Sequence, residues 1–172
     1  HLRRGDRPAA LAAAQAAMAA MPNDVGIMVA LGQAQLVAGD SQQAVSTFRR
    51  VTALHPESAA YRMYLAEAQV AAGDLESAGR SLRETLNLDP ERTDARRSLA
   101  MLALRKGRPE EALGLAREMQ RRQPKQALGF VVEGDIEAQR RNWSAAGAAY
   151  QSALQREAVT EIAIKLHAVL QG

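Results

Sequence analysis

Cysteine is absent from the 172 residues. That excludes disulfides, thiolate catalysis and cysteine-ligated zinc or iron–sulfur centres, and it leaves the redox compartment open. Aromatic residues are scarce at 3 %, although apolar residues reach 47 % and alanine dominates them. Such a composition points to helices packed closely on small side chains rather than to a core of large ones. No apolar run approaches the roughly 20 residues needed to cross a bilayer, so direct membrane insertion by this segment is not expected. The chain opens on His1-Leu2-Arg3-Arg4-Gly5-Asp6, with neither an initiator methionine nor a signal-peptide pattern. We therefore expect an excerpt of something longer. A large charge of one sign is lacking too, since 22 basic and 19 acidic residues leave +3. With few aromatics beside the charges and no base-reading motif, nucleic acid is not an expected partner. Nucleophile–base pairs, phosphate loops and paired carboxylates are also missing, so neither catalysis nor a cofactor is expected. His1, His55 and His167 stand apart without ligand spacing, which gives no metal site.

What the chain does have is a period. Prolines fall at Pro22, Pro56, Pro90 and Pro124, and 56−22, 90−56 and 124−90 each equal 34. Gly5, Gly39, Gly73 and Gly107 keep the same step, as do Ala10, Ala44, Ala78, Ala112 and Ala146. Leu31, Leu65 and Leu99 form a further series of that kind, and Gly32, Ala66, Ala100 and Gly134 a series of small residues. Shared periods of this length signal stacked helical hairpins. The glycine ends the first helix of its hairpin in a left-handed conformation. Asp6, Asp40 and Asp74 follow it and can cap the second helix, and in the fourth full unit Asn142, after Arg141, fills that capping place. Pro109 lies just inside a second helix, where a missing N–H does no harm. The repeating proline stops the second helix. The small residues let the paired helices approach, and the leucines fill the space between hairpins.

These marks predict a leading helix near 7–20, hairpins near 25–54, 59–88, 93–122 and 127–156, and a last helix near 160–170. The chain reads as one array over 1–172, with a half repeat at 1–24, full repeats at 25–58, 59–92, 93–126 and 127–159, and a half repeat at 160–172. The last step is read as 33 rather than 34, which puts Leu166 and not His167 in the leucine series.

The run from Met28 to Asp40, followed by Ala44, Phe48 and Pro56, resembles the tetratricopeptide repeat (TPR) family, and the resemblance extends over essentially the whole chain. It implies an all-α, right-handed solenoid of helix-turn-helix repeats. The implied function is a non-catalytic protein–protein interaction scaffold that binds a peptide or helix in a concave groove lined by the first helices. The groove-facing places hold Val29, Gln33 and Leu36; Met63, Glu67 and Val70; Arg97, Met101 and Leu104; Val131, Asp135 and Ala138, with Tyr64 at the edge. Methionine and valine there suit an apolar face of a helix or an extended peptide. Chaperone-tail-binding members grip a terminal carboxylate with lysines, asparagines and an arginine. The matching places here hold Val29, Gln33, Tyr64, Asp94 and Ser98, so that clamp is missing. A narrower resemblance rests on residues 133–136, 143–146 and 160–167, and is to the TPR lipoproteins of the bacterial PEP-CTERM/exosortase export system (PrsT-like). It implies a periplasmic or outer-membrane-anchored scaffold in an exopolysaccharide-producing cell; without it the location is read as cytoplasmic.

Between residues 91 and 126 ten basic residues face five acidic ones, 10−5 = +5. An acidic polysaccharide or protein could use that patch, but helical ion pairs such as Glu118 with Arg121 or Arg122 are the plainer expectation. Glu133 occupies a leucine place, and a salt bridge to Arg96 or Arg105 is expected there. Trp143 and Tyr150 are expected to pack their hairpin. The open ends, with Leu2, Leu11 and Met18 at one and Ile162, Ile164, Leu166, Val169 and Leu170 at the other, suggest weak self-association. A structural self-assembly module is accordingly the alternative to a binding scaffold, and an acidic-polysaccharide binder the third reading.

Overall fold

The computed structural model describes residues 6–171, with side chains from Pro8 onward. Gly5, Leu2, His1 and the side chain of Asp6, each given a place in the sequence reading, lie outside the described residues. The described residues form ten helices and no strand: α1 (Asp6–Ala20), α2 (Val25–Ala38), α3 (Ser41–Leu54), α4 (Ala59–Ala71), α5 (Leu75–Leu88), α6 (Thr93–Arg105), α7 (Pro109–Arg122), α8 (Leu128–Gln139), α9 (Trp143–Leu154) and α10 (Thr160–Leu170). The fold class is therefore an all-α repeat solenoid. The chain divides between Glu91 and Arg92 into two compact units. Within the N-terminal unit consecutive helices from α1 to α5 pack on one another, and within the C-terminal unit those from α6 to α10 do so.

Each hairpin turn is built the same way. Gly39, Gly73 and Gly107 take left-handed φ angles of 92°, 80° and 71°. This lets the N–H of the following residue reach back along the helix, as in Asp40 N–H to Gln35 O at 2.8 Å and Asp74 N–H to Gln69 O at 2.9 Å. The fourth turn makes the matching bond, Asn142 N–H to Glu137 O at 2.9 Å, with Arg141 in the left-handed place at φ 59°. A β-carbon is strained in that conformation, so the turn is dictated by its hydrogen bonds rather than by its residue.

The caps differ in detail from expectation. Asp74 accepts a bond from Ser77 N–H at 3.0 Å, and Asn142 accepts one from Ala145 N–H at 3.4 Å. Asp40 makes no such bond. Its carboxylate sits at the capping place, but α3 starts without using it. The first helices carry caps that the sequence reading passed over, Asp24 on Ile27 N–H at 2.9 Å and Ser58 on Tyr61 N–H at 3.3 Å. Pro109 occupies the first turn of α7, as read from the sequence. Glu110 and Glu111 start that helix, and Arg121 and Arg122 end it, each sign complementing the helix dipole.

The core is assembled where paired helices cross. Ala44, Ala66, Ala78, Ala100, Ala112 and Ala146 have no exposed surface. At Gly32 an added β-carbon would lie 2.5 Å from Phe48 Cζ, and at Gly134 one would lie 2.4 Å from Tyr150 Cε1. The residues at 48, 82, 116 and 150 are Phe, Leu, Ala and Tyr, again 34 apart, so the two aromatics of that series fall opposite the two glycines. Volume is thus kept similar at the Gly32–Phe48, Ala66–Leu82 and Gly134–Tyr150 pairs, whereas the third repeat pairs two small residues, Ala100 and Ala116. In the N-terminal unit Ala44, Val45, Phe48, Leu65 and Ala68 form one cluster. The C-terminal unit holds one around Leu113, Ala116, Met119, Val132 and Ile136 and another around Ala127, Tyr150, Ala153, Ile162 and Val169. Leu166 packs against the last of these, whereas His167 is exposed. Trp143 departs from its expected packing role: at the first position of α9 it is 37 % exposed.

Buried polar groups lock some hairpins internally. Gln35, 5 % exposed, accepts from Thr47 Oγ1 at 2.8 Å, and one period later Gln69, 4 % exposed, accepts from Ser81 Oγ at 2.8 Å. The third repeat replaces this lock with Ala103 and Leu115, and the fourth with Glu137 held by Arg140 and Asn142. Each pairing satisfies a polar group that would otherwise be stranded away from water.

Candidate functional site

The expected binding residues lie on the first helices of the hairpins. In the N-terminal unit these are α2 and α4. Gln33 and Glu67 are exposed there, and Val29, Leu36, Tyr64 and Val70 are half-buried. Val29, Leu36 and Tyr64 lean on the Phe48 cluster, with the Tyr64 ring stacked 5.5 Å from that of Phe48. Met63 does not belong to this face as expected. It is 4 % exposed and forms part of the core. A long, unbranched thioether can fold down into a gap that the valine at the same place of other repeats cannot reach. Four half-buried apolar residues therefore remain at the face beside two polar ones.

In the C-terminal unit the corresponding helices are α6, α8 and α10, and α6 and α8 touch each other. Residues Ala95, Arg96, Leu99, Ala100, Leu102 and Ala103 bury one arc of α6. The opposite arc presents Arg97 and Arg105, both exposed, with Met101 and Leu104 half-buried between them. On α8, Val131 and Ala138 are half-buried and pack in part on the cluster around Tyr150. Asp135 is engaged within the chain: Lys165 Nζ from α10 reaches it at 2.8 and 3.0 Å, and the Tyr150 hydroxyl donates to it at 2.8 Å. Burial, reinforced by that bond to a carboxylate, pushes the Tyr150 phenol well above its ordinary value. Most apolar face residues thus serve twice, with one side in a hairpin cluster and the other toward solvent.

At least half of the basic residues of the run at 91–126 are matched by acids. Arg92 pairs with Asp94 at 3.1 Å, Arg96 with Glu118 at 3.7 Å, Arg108 with Glu111 at 3.5 Å, and Arg122 with Glu118 at 2.9 Å. Glu133 finds Arg117 at 3.6 Å and Gln120 Nε2 at 2.6 Å, rather than Arg96 or Arg105. The reason is positional. Glu133 faces the preceding second helix, α7, where Arg117 and Gln120 lie, whereas Arg96 is turned toward Glu118 of its own hairpin. His55 pairs with Glu57 at 3.5 Å and lies edge-on to Tyr61, and His167 bonds Gln171. No group of His, Cys, Asp or Glu that could hold a metal occurs among the described residues, and no described helix is long and apolar enough to cross a membrane.

The repeat is matched by a family model described as tetratricopeptide repeat over residues 29–86 and 70–127, together more than half of the chain. No curated protein matches it. Among solved structures it is similar to TTC0263, a thermophilic TPR protein in Thermus thermophilus, at 19 % identity and a TM-score of 0.77, covering 98 % of this chain and 92 % of that one. It is also similar to MamA, at 20 % identity and a TM-score of 0.72 over 90 % of both chains. A third similar structure is YrrB, described as a TPR protein with an unusual peptide-binding site, at 20 % identity and a TM-score of 0.67 over 95 % of this chain and 84 % of that one. At these identities the structures speak for the fold, and the family model speaks for membership: the chain belongs to the tetratricopeptide repeat family.

Proposed function

We propose that this chain is a non-catalytic scaffold whose first-helix faces hold a peptide or an amphipathic helix of another protein. The observation that carries this reading is the half-buried apolar set Val29, Leu36, Tyr64 and Val70 in one unit and Met101, Leu104, Val131 and Ala138 in the other. Helical anchors fit such faces. Side chains already pinned on one side by packing lose little further entropy on binding. A photoreactive residue at Val29 or Val131 should therefore crosslink a partner in cells of the source organism. The same residue at Arg50 or Gln151, exposed on the second helices α3 and α9, should give none. Equal adducts from both faces would overturn the proposal. A setting in exopolysaccharide-linked export rests on the resemblance of residues 133–167 and would be supported only if the crosslinked protein is an envelope component.

One observation favours the self-assembly reading. Leu170 is 67 % exposed, yet at the matching place of the earlier first helices Gln35, Gln69, Ala103 and Glu137 are all buried. Light scattering across concentration separates the readings. A monomer that still crosslinks through Val131 supports the scaffold, and a concentration-dependent oligomer lost in Leu170→Glu supports assembly.

A further inference from the structure

We infer that the α6–α8 face of the C-terminal unit takes an acidic amphipathic helix, with two carboxylates of that helix seated on Arg97 and Arg105. The inference rests on the scaffold reading above and names the chemistry of its partner. Acids elsewhere on this face are already engaged: Asp94 by Arg92 at 3.1 Å and Asp135 by Lys165 at 2.8 Å. Arg97 and Arg105 are exposed and make no ion pair among the described residues. Most other cations of the run are matched, so the charge of this face is concentrated at these two. They lie eight residues apart on one helix, which at 1.5 Å per residue separates their α-carbons by about 12 Å. Met101 and Leu104 lie between them and present half-buried apolar surface.

Cation, apolar step and cation along about 12 Å call for the complementary order in the ligand. A helix with acidic residues seven or eight positions apart and apolar residues between them supplies it. A polyanion such as an acidic polysaccharide would satisfy the arginines but bring nothing apolar to Met101 and Leu104. A terminal carboxylate alone would use one arginine. Arginine suits the task because its planar fork meets a carboxylate with two parallel hydrogen bonds.

The test is a display selection of random helical peptides of about 15 residues, roughly four turns, on the intact chain. Heparin serves as a competing polyanion. Enriched peptides should carry an acidic pair seven or eight positions apart flanking apolar residues. Their binding should weaken as salt is raised and fall about tenfold or more in the double variant Arg97→Glu/Arg105→Glu. Both side chains are exposed, so the variant should keep its helical circular dichroism; Arg97→Gln/Arg105→Gln is the milder form should it not. Enrichment of neutral peptides, or of acidic ones indifferent to both double variants, overturns the inference. If such peptides are nevertheless lost in Val131→Glu, the first-helix face still binds and only the acidic chemistry falls. If they survive Val131→Glu as well, or if heparin binds and no peptide is enriched, the scaffold reading falls with it.

Discussion

At the scale of single residues, stability depends on where volume and backbone strain are placed. Gly32→Ala would drive a β-carbon to 2.5 Å from Phe48 Cζ, and overpacking of this kind costs about 1–3 kcal/mol. Combining it with Phe48→Leu recreates the Ala66 and Leu82 combination found one repeat on. The double variant should lose less stability than the sum of the singles, and urea denaturation of all four forms checks it. Arg141 holds a left-handed φ of 59° where the other three turns have glycine. Arg141→Gly should stabilise by about 1 kcal/mol, and Gly107→Ala should destabilise by a similar amount; a destabilised Arg141→Gly would show that the side chain is kept by a contact. Tyr150 adds a pH signature. Its phenol is raised above the ordinary value of 10.0 in the folded state, so its contribution is complete below about 10 and is lost as pH rises beyond it. Alkaline melts should show that loss in the parent and a shallower one in Tyr150→Phe.

At the scale of helices, nearly every boundary was legible because each is written by a residue with one mechanical use. Proline, glycine and the capping aspartates or asparagine punctuate the chain locally, so the expected bounds carry over to α2 through α9 within a residue or two. What was not legible depends on contacts across hairpins. The sequence places Met63 and Val131 at the same point of their repeats, yet one is core and the other half-buried. Only the gap under each helix decides that. Glu133 had several arginines in reach by sequence, and the direction of its helix face selected Arg117. Nor does the spacing announce Asp135 as the acceptor of Lys165 thirty residues later. Burial also sets the cost of Met63→Ala, which a groove-facing place would have made small. As a core side chain it should cost about 2–5 kcal/mol, where Gln33→Ala on the exposed part of the face should change the melting temperature little.

At the scale of the whole molecule, stability is shared among neighbours, since each helix of a unit packs mainly on those adjacent in sequence. A solenoid of this kind behaves approximately as a sum of hairpin and interface terms. Truncation after Gln123 should leave a helical, less stable remainder, and a truncated form without helical circular dichroism would contradict nearest-neighbour stacking. Partner binding would also act at this scale, because the first helices leave apolar side chains such as Val29, Met101 and Val131 only half-buried. Amide hydrogen exchange on the chain with and without its crosslinked partner tests it most directly. New protection is expected in α2, α4, α6 and α8, strongest around Met101 and Val131, with α3, α5, α7 and α9 unchanged. Protection confined to the second helices, or to α1 and α10 alone, would contradict it.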